Sequence, residues 1–297
     1  MDKNLLKIIS KLKSKFYFDY NIGKLTWFRT GGKAKIFILV ENSEELEIIL
    51  NEIKDENYYV LGSGSNLLIR DSGFNGIVLK LGKGFNIFNI FENKLEVGAS
   101  ILDINLSNFA LKNNFEGFEF LSGIPGSIGG AIKMNAGCFG SETKDILDSV
   151  EIYTSNFEKK IIKRKDINLE YRSSNIQNDQ IITKAKFDIK LGNSINIKEK
   201  MEYIKEKRLL SQPIKYKTSG STFKNPPNLF AAKLIEESGC KGLTFGDAVV
   251  SQKHANFLIN KGNATASDLE NLGKIIIEKV YKKFNVKLNW EVKIIGE

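Results

Sequence analysis

Three polar side chains sit where their neighbours restrict them. Arg172 follows Tyr171 and precedes two serines. A guanidinium there can clamp a carboxylate or phosphate through two parallel donors, and a surface ion pair would read the same way. Ser221 lies in GSTFKNP, where glycine and proline would hold a hydroxyl rigidly or simply make a turn. Glu291 lies in NWEVKII, read as a strand in which alternation puts it on the side of Lys293 and opposite Val292. Spacing alone does not join the three into one site. Two glycine stretches complete the set. One is GSGSN, comprising Gly62, Ser63, Gly64, Ser65 and Asn66. The other spans residues 121–140, with Gly126, Ser127, Gly129, Gly130, Asn135 and Gly137. Neither helical nor strand period runs through the second stretch. Ile124, Ile128, Ile132 and Met134 are too apolar for a linker, so it reads as backbone wrapped round a ligand.

The first stretch follows an expected strand at residues 58–61, which invites a dinucleotide fingerprint. That fingerprint fails, because its third glycine would fall on Leu67, and LLIRDSGFNGIVLKL continues as strand, turn and strand. Successive backbone N–H groups could still form a phosphate nest without a helix, or the loop could be a tight turn.

Composition narrows the class. At 297 residues with 42% hydrophobic and 27% charged residues, the chain has an ordinary globular make-up and enough length for a large core. A net charge of +9 favours acidic partners, but the lysines are scattered rather than gathered on one face with aromatics, so nucleic acid is not expected. Cys138, Cys240 and the single histidine, His254, are too few for a Cys/His zinc site, and the carboxylates show no metal-binding spacing. No metal is expected. Lys7, Lys11 and Lys13 interrupt any leader-like apolar run, and no apolar stretch reaches membrane-span length. A cytoplasmic protein with reduced thiols and no membrane insertion is the expectation.

The positioning elements follow from periodicity. Leu5, Ile8, Ile9, Leu12 and Phe16 predict an amphipathic N-terminal helix. A strand at 36–40 precedes a helix capped by Asn42, with Glu45 placed for a capping box. A strand at 94–97 leads to a helix at 100–112 on Ile101, Ile104, Leu106 and Phe109. Antiparallel strands are expected across 149–191, and a composition shift at 192–194 marks a boundary. Helices follow at 197–210, at 229–238 (closed by Gly239) and at 267–284, with short strands near Val249 and Phe257 and a strand at 286–295.

Taken in order, GSGSNLLIRD (62–71), GIPGSIGGAIKMNAGCFG (123–140), YRSS (171–174), GSTFKNP (220–226) and WEVKIIGE (290–297) resemble the signature of the bacterial UDP-N-acetylenolpyruvoylglucosamine reductases. Each motif is weakly specific alone, and five in order are strongly so. The match runs from about Thr26 onward. The brief segment between YRSS and GSTFKNP is similar to the compact subclass, which lacks a tyrosine-bearing loop that covers substrate in longer relatives.

That resemblance implies an α+β fold: a two-part FAD-binding region of the vanillyl-alcohol-oxidase/PCMH type, then a smaller α/β substrate domain. The expected division is 1–82, 83–192 and 193–297. It implies an enzyme of peptidoglycan precursor synthesis in which NADPH reduces FAD and the flavin passes hydride to the enolpyruvyl group of a UDP-sugar, giving UDP-N-acetylmuramate. Gly62 to Asn66 and Gly126, Ser127, Gly129, Gly130, Asn135 and Gly137 would hold FAD. Ser221 would donate the proton, while Arg172 and Glu291 would stabilise the enol form. Tyr171, Asn225 and His254 would lie on the substrate side. Another flavin oxidase on the same fold is the competing class, and GSTFKNP and WEVKIIGE argue against it.

Overall fold

The computed structural model describes residues 11–54 and 56–297. The chain forms two compact units. One is built from Lys35–Ser63, Gly76–Lys205 and the described part of Met1–Asp19; the other comprises Tyr20–Ala34, Gly64–Asn75 and Glu206–Glu297.

In the first unit a four-stranded sheet has the order Lys15–Asn21, Lys33–Val40, Phe74–Leu81, Tyr58–Val60, and its last pair is parallel. The Ser43–Glu52 helix buries Leu46, Ile49 and Leu50 with Ile36, Ile38, Ile77 and Leu79. Each such side chain contributes about 1.5–3 kcal/mol when fully buried. Asn42 caps this helix by accepting from the Glu45 N–H at 2.9 Å. The expected capping box is only half made, because the Glu45 carboxylate accepts from the backbone N–H groups of Lys13 and Ser14 and from the Ser14 hydroxyl. Three donors thus tie the start of the chain to the helix. Of the expected N-terminal helix, Leu5, Ile8 and Ile9 lie outside the described residues, and Phe16 belongs to the Lys15–Asn21 strand.

The same unit holds a five-stranded antiparallel sheet in the order Lys159–Lys163, Leu147–Tyr153, Ile181–Asp188, Lys94–Gly98, Phe88–Phe91. Its core gathers Leu95, Val97, Val150 and Phe187 with Leu106, Ile128 and Ile132. The helix predicted for 100–112 spans Asp103–Lys112, and its buried stripe is Asp103, Leu106, Ser107 and Ala110. Ile104, expected inside, is 37% exposed. The glycine tract also departs from expectation: it contains a 3-10 turn, Glu119–Gly123, and a short helix, Ile128–Lys133, that buries Ile128, Ala131 and Ile132. Those three share one helical face, a pattern that the interleaved glycines conceal.

The second unit packs the Ala231–Glu237 and Ala266–Phe284 helices with a three-stranded sheet, Thr244–Phe245, Ala248–Val250 and Leu258–Asn260. The longer helix starts on a capping box between Thr265 and Asp268 and ends at Asn285 in the left-handed region. Gly239 takes φ 70° just past the shorter helix, closing it as expected. Lys293–Ile295 is the whole of the strand expected at 286–295, and it pairs in parallel with Leu67–Ile69.

Candidate functional site

In the second unit, Glu291 is joined to Thr222, the residue that follows Ser221 in the chain. The Glu291 N–H donates to the Thr222 carbonyl at 2.8 Å, and Phe223 bridges Trp290. Asn256, almost fully buried, grips the next residue twice: its Oδ1 accepts from the Phe223 N–H at 2.9 Å, and its Nδ2 donates to the Phe223 carbonyl at 2.8 Å. The Thr222 hydroxyl accepts from the Leu258 N–H, which leaves this backbone with little freedom. Trp290 packs on Phe223 with ring centroids 5.0 Å apart. A Cβ on Gly273 would stand 2.1 Å from the Trp290 ring, so only glycine lets the helix admit the indole. Asn66 completes the frame by donating to the Glu291 carbonyl at 3.1 Å. Glu291 itself precedes the Lys293–Ile295 strand rather than lying inside it, so alternation does not set its direction.

Asn225 accepts from the Ala231 N–H at 3.0 Å, holding the start of the Ala231–Glu237 helix. His254 lies in the turn before Leu258–Asn260, and its Nδ1 accepts from the Asn256 N–H. Its ring meets Phe257 edge-on at 4.6 Å. Burial pushes the His254 pKa below its ordinary value, so the imidazole is neutral near pH 7.

In the first unit, Tyr171 and Arg172 form the two-residue tip of a hairpin between Leu169–Glu170 and Ser173–Ser174. Arg172 takes φ 53°, a conformation costly for a side chain with a Cβ. Its guanidinium donates to the Gly137 carbonyl at 2.7 Å and stacks over the Tyr171 ring at 5.1 Å. These residues line a cavity of about 390 Å³ together with Glu142, Lys144 and Asp145. Burial works to raise the Glu142 carboxyl, but bonds from Lys144 and Asn135 outweigh it and hold it below the usual range. The pocket therefore presents a fixed guanidinium beside an ion pair of Glu142 with Lys144 at 2.6 Å. Asn135, at φ 39°, organises this corner. Its amide donates to Glu142 and to the Glu170 carbonyl and accepts from the Lys144 N–H.

Within the first unit, Gly62 and Ser63 meet the second glycine segment. Ser63 Oγ donates to the Pro125 carbonyl, and a Cβ on Gly62 would come within 2.8 Å of the Ser127 hydroxyl. A Cβ on Gly126 would strike the Asp103 carboxyl at 2.3 Å. Among the described residues, the N–H groups of Gly62 and Gly64 find no acceptor, and Gly64 takes φ 71°. Bare backbone donors on a close-packed glycine turn fit an anionic dinucleotide such as FAD. Sequence reasoning missed Asp103, which is fully buried behind Gly126. Burial pushes its carboxyl well above the usual range, a nearby Gly126 N–H offsets this only slightly, and neither oxygen reaches a partner in hydrogen-bond geometry. The nearest signal is the Asp103, Leu106, Ser107, Ala110 stripe itself, where two polar residues occupy helical core positions.

Residues 34–156 match the FAD binding domain family, and residues 212–295 match the family described as UDP-N-acetylenolpyruvoylglucosamine reductase, C-terminal domain. The UDP-N-acetylenolpyruvoylglucosamine reductase of Rickettsia typhi is 44% identical over 98% of this chain and 99% of its own length. The chain belongs to that reductase family. The Rickettsia akari reductase is 43% identical over 98% of this chain and 99% of its own length. The crystal structure of the Thermus caldophilus reductase superposes with a TM-score of 0.83 at 32% identity, covering 96% of this chain and all of the other. The α+β expectation holds, with an FAD-binding region ahead of the reductase family's own C-terminal domain.

Proposed function

We propose that this chain is an FAD-dependent reductase that uses NADPH to reduce the enolpyruvyl group of UDP-N-acetylglucosamine enolpyruvate to UDP-N-acetylmuramate, a step in peptidoglycan precursor synthesis. Near-full-length identity to the Rickettsia reductases supports it. The observation that supports the mechanism is the bond from the Glu291 N–H to Thr222, the residue next to Ser221, on backbone braced by Asn256.

FAD, when bound, supplies hydride taken from NADPH. Gly62, Ser63, Gly64, Ser65 and Asn66, with Gly126, Ser127, Gly129, Gly130, Asn135 and Gly137, form the cofactor cradle. Gly62 and Gly64 offer open N–H groups, whereas the Asn135 side chain is already committed to protein and acts by shaping the loop. Hydride addition at one carbon of the enolpyruvyl double bond builds negative charge next to the substrate carboxylate. The Arg172 fork offsets that charge with fixed donors, and Glu291 holds the enol form. Ser221 then places its hydroxyl proton on the adjacent carbon, whose basicity in the enolate compensates for the high pKa of an alcohol. Tyr171 and Asn225 lie on the substrate side in this reading, and His254 contributes there as a neutral ring.

The division at residues 82 and 192 belongs to the same reading, as does a cytoplasmic location. Among the described residues no helix is long and apolar enough to cross a membrane. The test is the visible spectrum of purified protein under anaerobic NADPH. Flavin bands should bleach and return when the enolpyruvyl UDP-sugar is added. Bleaching without return would point to a different flavin enzyme, and failure to take up FAD at all would remove the reading.

A further inference from the structure

Lys80 stands on the Phe74–Leu81 strand, next to fully buried Leu79 and on the opposite face. The Leu79 carbonyl accepts from the Leu61 N–H, so this strand runs beside the chain as it enters the first glycine turn. The Lys80 ammonium donates to the Gly62 carbonyl. No carboxylate among the described residues pairs with Lys80, whose environment is partly buried. A half-desolvated cation held by a single neutral acceptor is an incomplete arrangement, and burial correspondingly lowers its pKa.

The glycine segments themselves are poor in positive charge. Within residues 62–66 and 123–140 the only cation is Lys133, and its ammonium is given to the Ile176 carbonyl. A diphosphate resting on glycine N–H groups gains partial charges from the backbone, but its full negative charges call for an ammonium or guanidinium nearby. Lys80 brings that charge to Gly62, at the turn where Gly62 faces Ser127.

We propose that Lys80 is the cationic contact for the phosphate groups of the bound flavin dinucleotide at the Gly62–Ser127 approach. This rests on the placement of FAD at the two glycine segments. NADPH also carries phosphates, so the test separates the two sources.

Full-length protein stripped of flavin is titrated with FAD and, separately, with riboflavin, which has no phosphate, by following flavin fluorescence. Lys80→Met should weaken FAD binding about 10- to 100-fold and leave riboflavin unchanged, while Lys80→Arg retains most of the affinity. Equal losses for FAD and riboflavin, or no loss for FAD, would overturn the proposal. So would a variant that binds FAD normally but loses affinity for NADP⁺ in the flavin-loaded protein. Gly62→Val is measured in parallel. If it weakens FAD binding and Lys80→Met does not, only the lysine assignment fails; if neither variant moves FAD, its placement at the glycine segments fails. Should Lys80→Met not fold, the unaltered stripped protein gives the answer: FAD should protect Lys80 from acetylation, read by mass spectrometry, and riboflavin should not. Equal protection by both, or by neither, overturns the proposal.

Discussion

Two buried places, the backbone beside Phe223 and the back of the glycine tract, treat polar groups in opposite ways. Under Ser221 the second unit buries Asn256 and Asn260 with their amides engaged: Asn256 on Phe223, and Asn260 on the Phe28 carbonyl and the N–H groups of Gly262 and Ala264. Behind the glycine tract the first unit buries the Asp103 carboxyl and the Ser107 hydroxyl, one helical turn apart, with no hydrogen-bond partner among the described residues. A paired amide fixes backbone in one position, which suits the proton-donor role proposed for the Ser221 hydroxyl. An unpaired carboxyl instead sheds its charge and fills space, here the space that a side chain at Gly126 would need. The first of these places is held by satisfied bonds, and the second by volume and neutrality.

Substitutions on each side can break this contrast. The largest effect is expected for Ser221→Ala: flavin reduction by NADPH persists, while flavin reoxidation by the enolpyruvyl substrate slows about 10²- to 10⁴-fold. Rapid mixing reads both half-reactions, and equal slowing of the two would remove the proton-donor role. Arg172→Lys keeps the charge and loses the planar fork, so reoxidation should fall about 10²-fold with reduction preserved. Normal turnover would take Arg172 out of the chemistry. Asn256→Ala leaves the Phe223 N–H and carbonyl buried and unpaired; a stability loss of about 2–3 kcal/mol is expected in denaturant titration. A loss below about 0.5 kcal/mol would show that the amide is not what braces Thr222 and Glu291.

The smallest change falls on the other unit. Because the Asp103 pKa is raised in the folded protein, the unfolded chain releases that proton at a lower pH than the folded chain does. The native state therefore loses stability as pH rises from the ordinary carboxylate range up to the raised value, and asparagine carries no such proton. Asp103→Asn should melt higher than the parent near pH 8, with the advantage closing as pH falls towards about 4. An advantage that instead grows on acidification would mean that the carboxyl is charged in the folded state.

Much of the frame was legible in sequence because its elements announce themselves locally. Asn42, Thr265 and Gly239 mark helix ends by side-chain and backbone chemistry that needs no distant partner. The sheet strands across 149–191 show their alternation directly. What sequence concealed depends on partners far along the chain. Glu45 looked like half of a capping box until Lys13 and Ser14 claimed its carboxylate. Ile128, Ala131 and Ile132 form a helix face only once the five-stranded sheet supplies something to pack on. Motif order singles out Ser221 and Glu291, whereas Asn256 and Gly273, which hold the neighbouring Phe223 and Trp290, sit in unremarkable stretches. Asp103 and Ser107 were passed over because the apolar residues around them suggested a different buried face.

The second unit is not continuous in sequence, and that has a consequence for how the protein is made. Tyr20–Ala34 and Gly64–Asn75 are made well before Lys293–Ile295, the strand that pairs with Leu67–Ile69. Phe28 and Leu68 likewise wait for core partners such as Leu272, Ile276 and Val292. Until those downstream partners are made, these segments lack the strand pairing and core contacts of the folded unit. Completion of this unit is thus a long-range event that awaits segments far downstream in sequence.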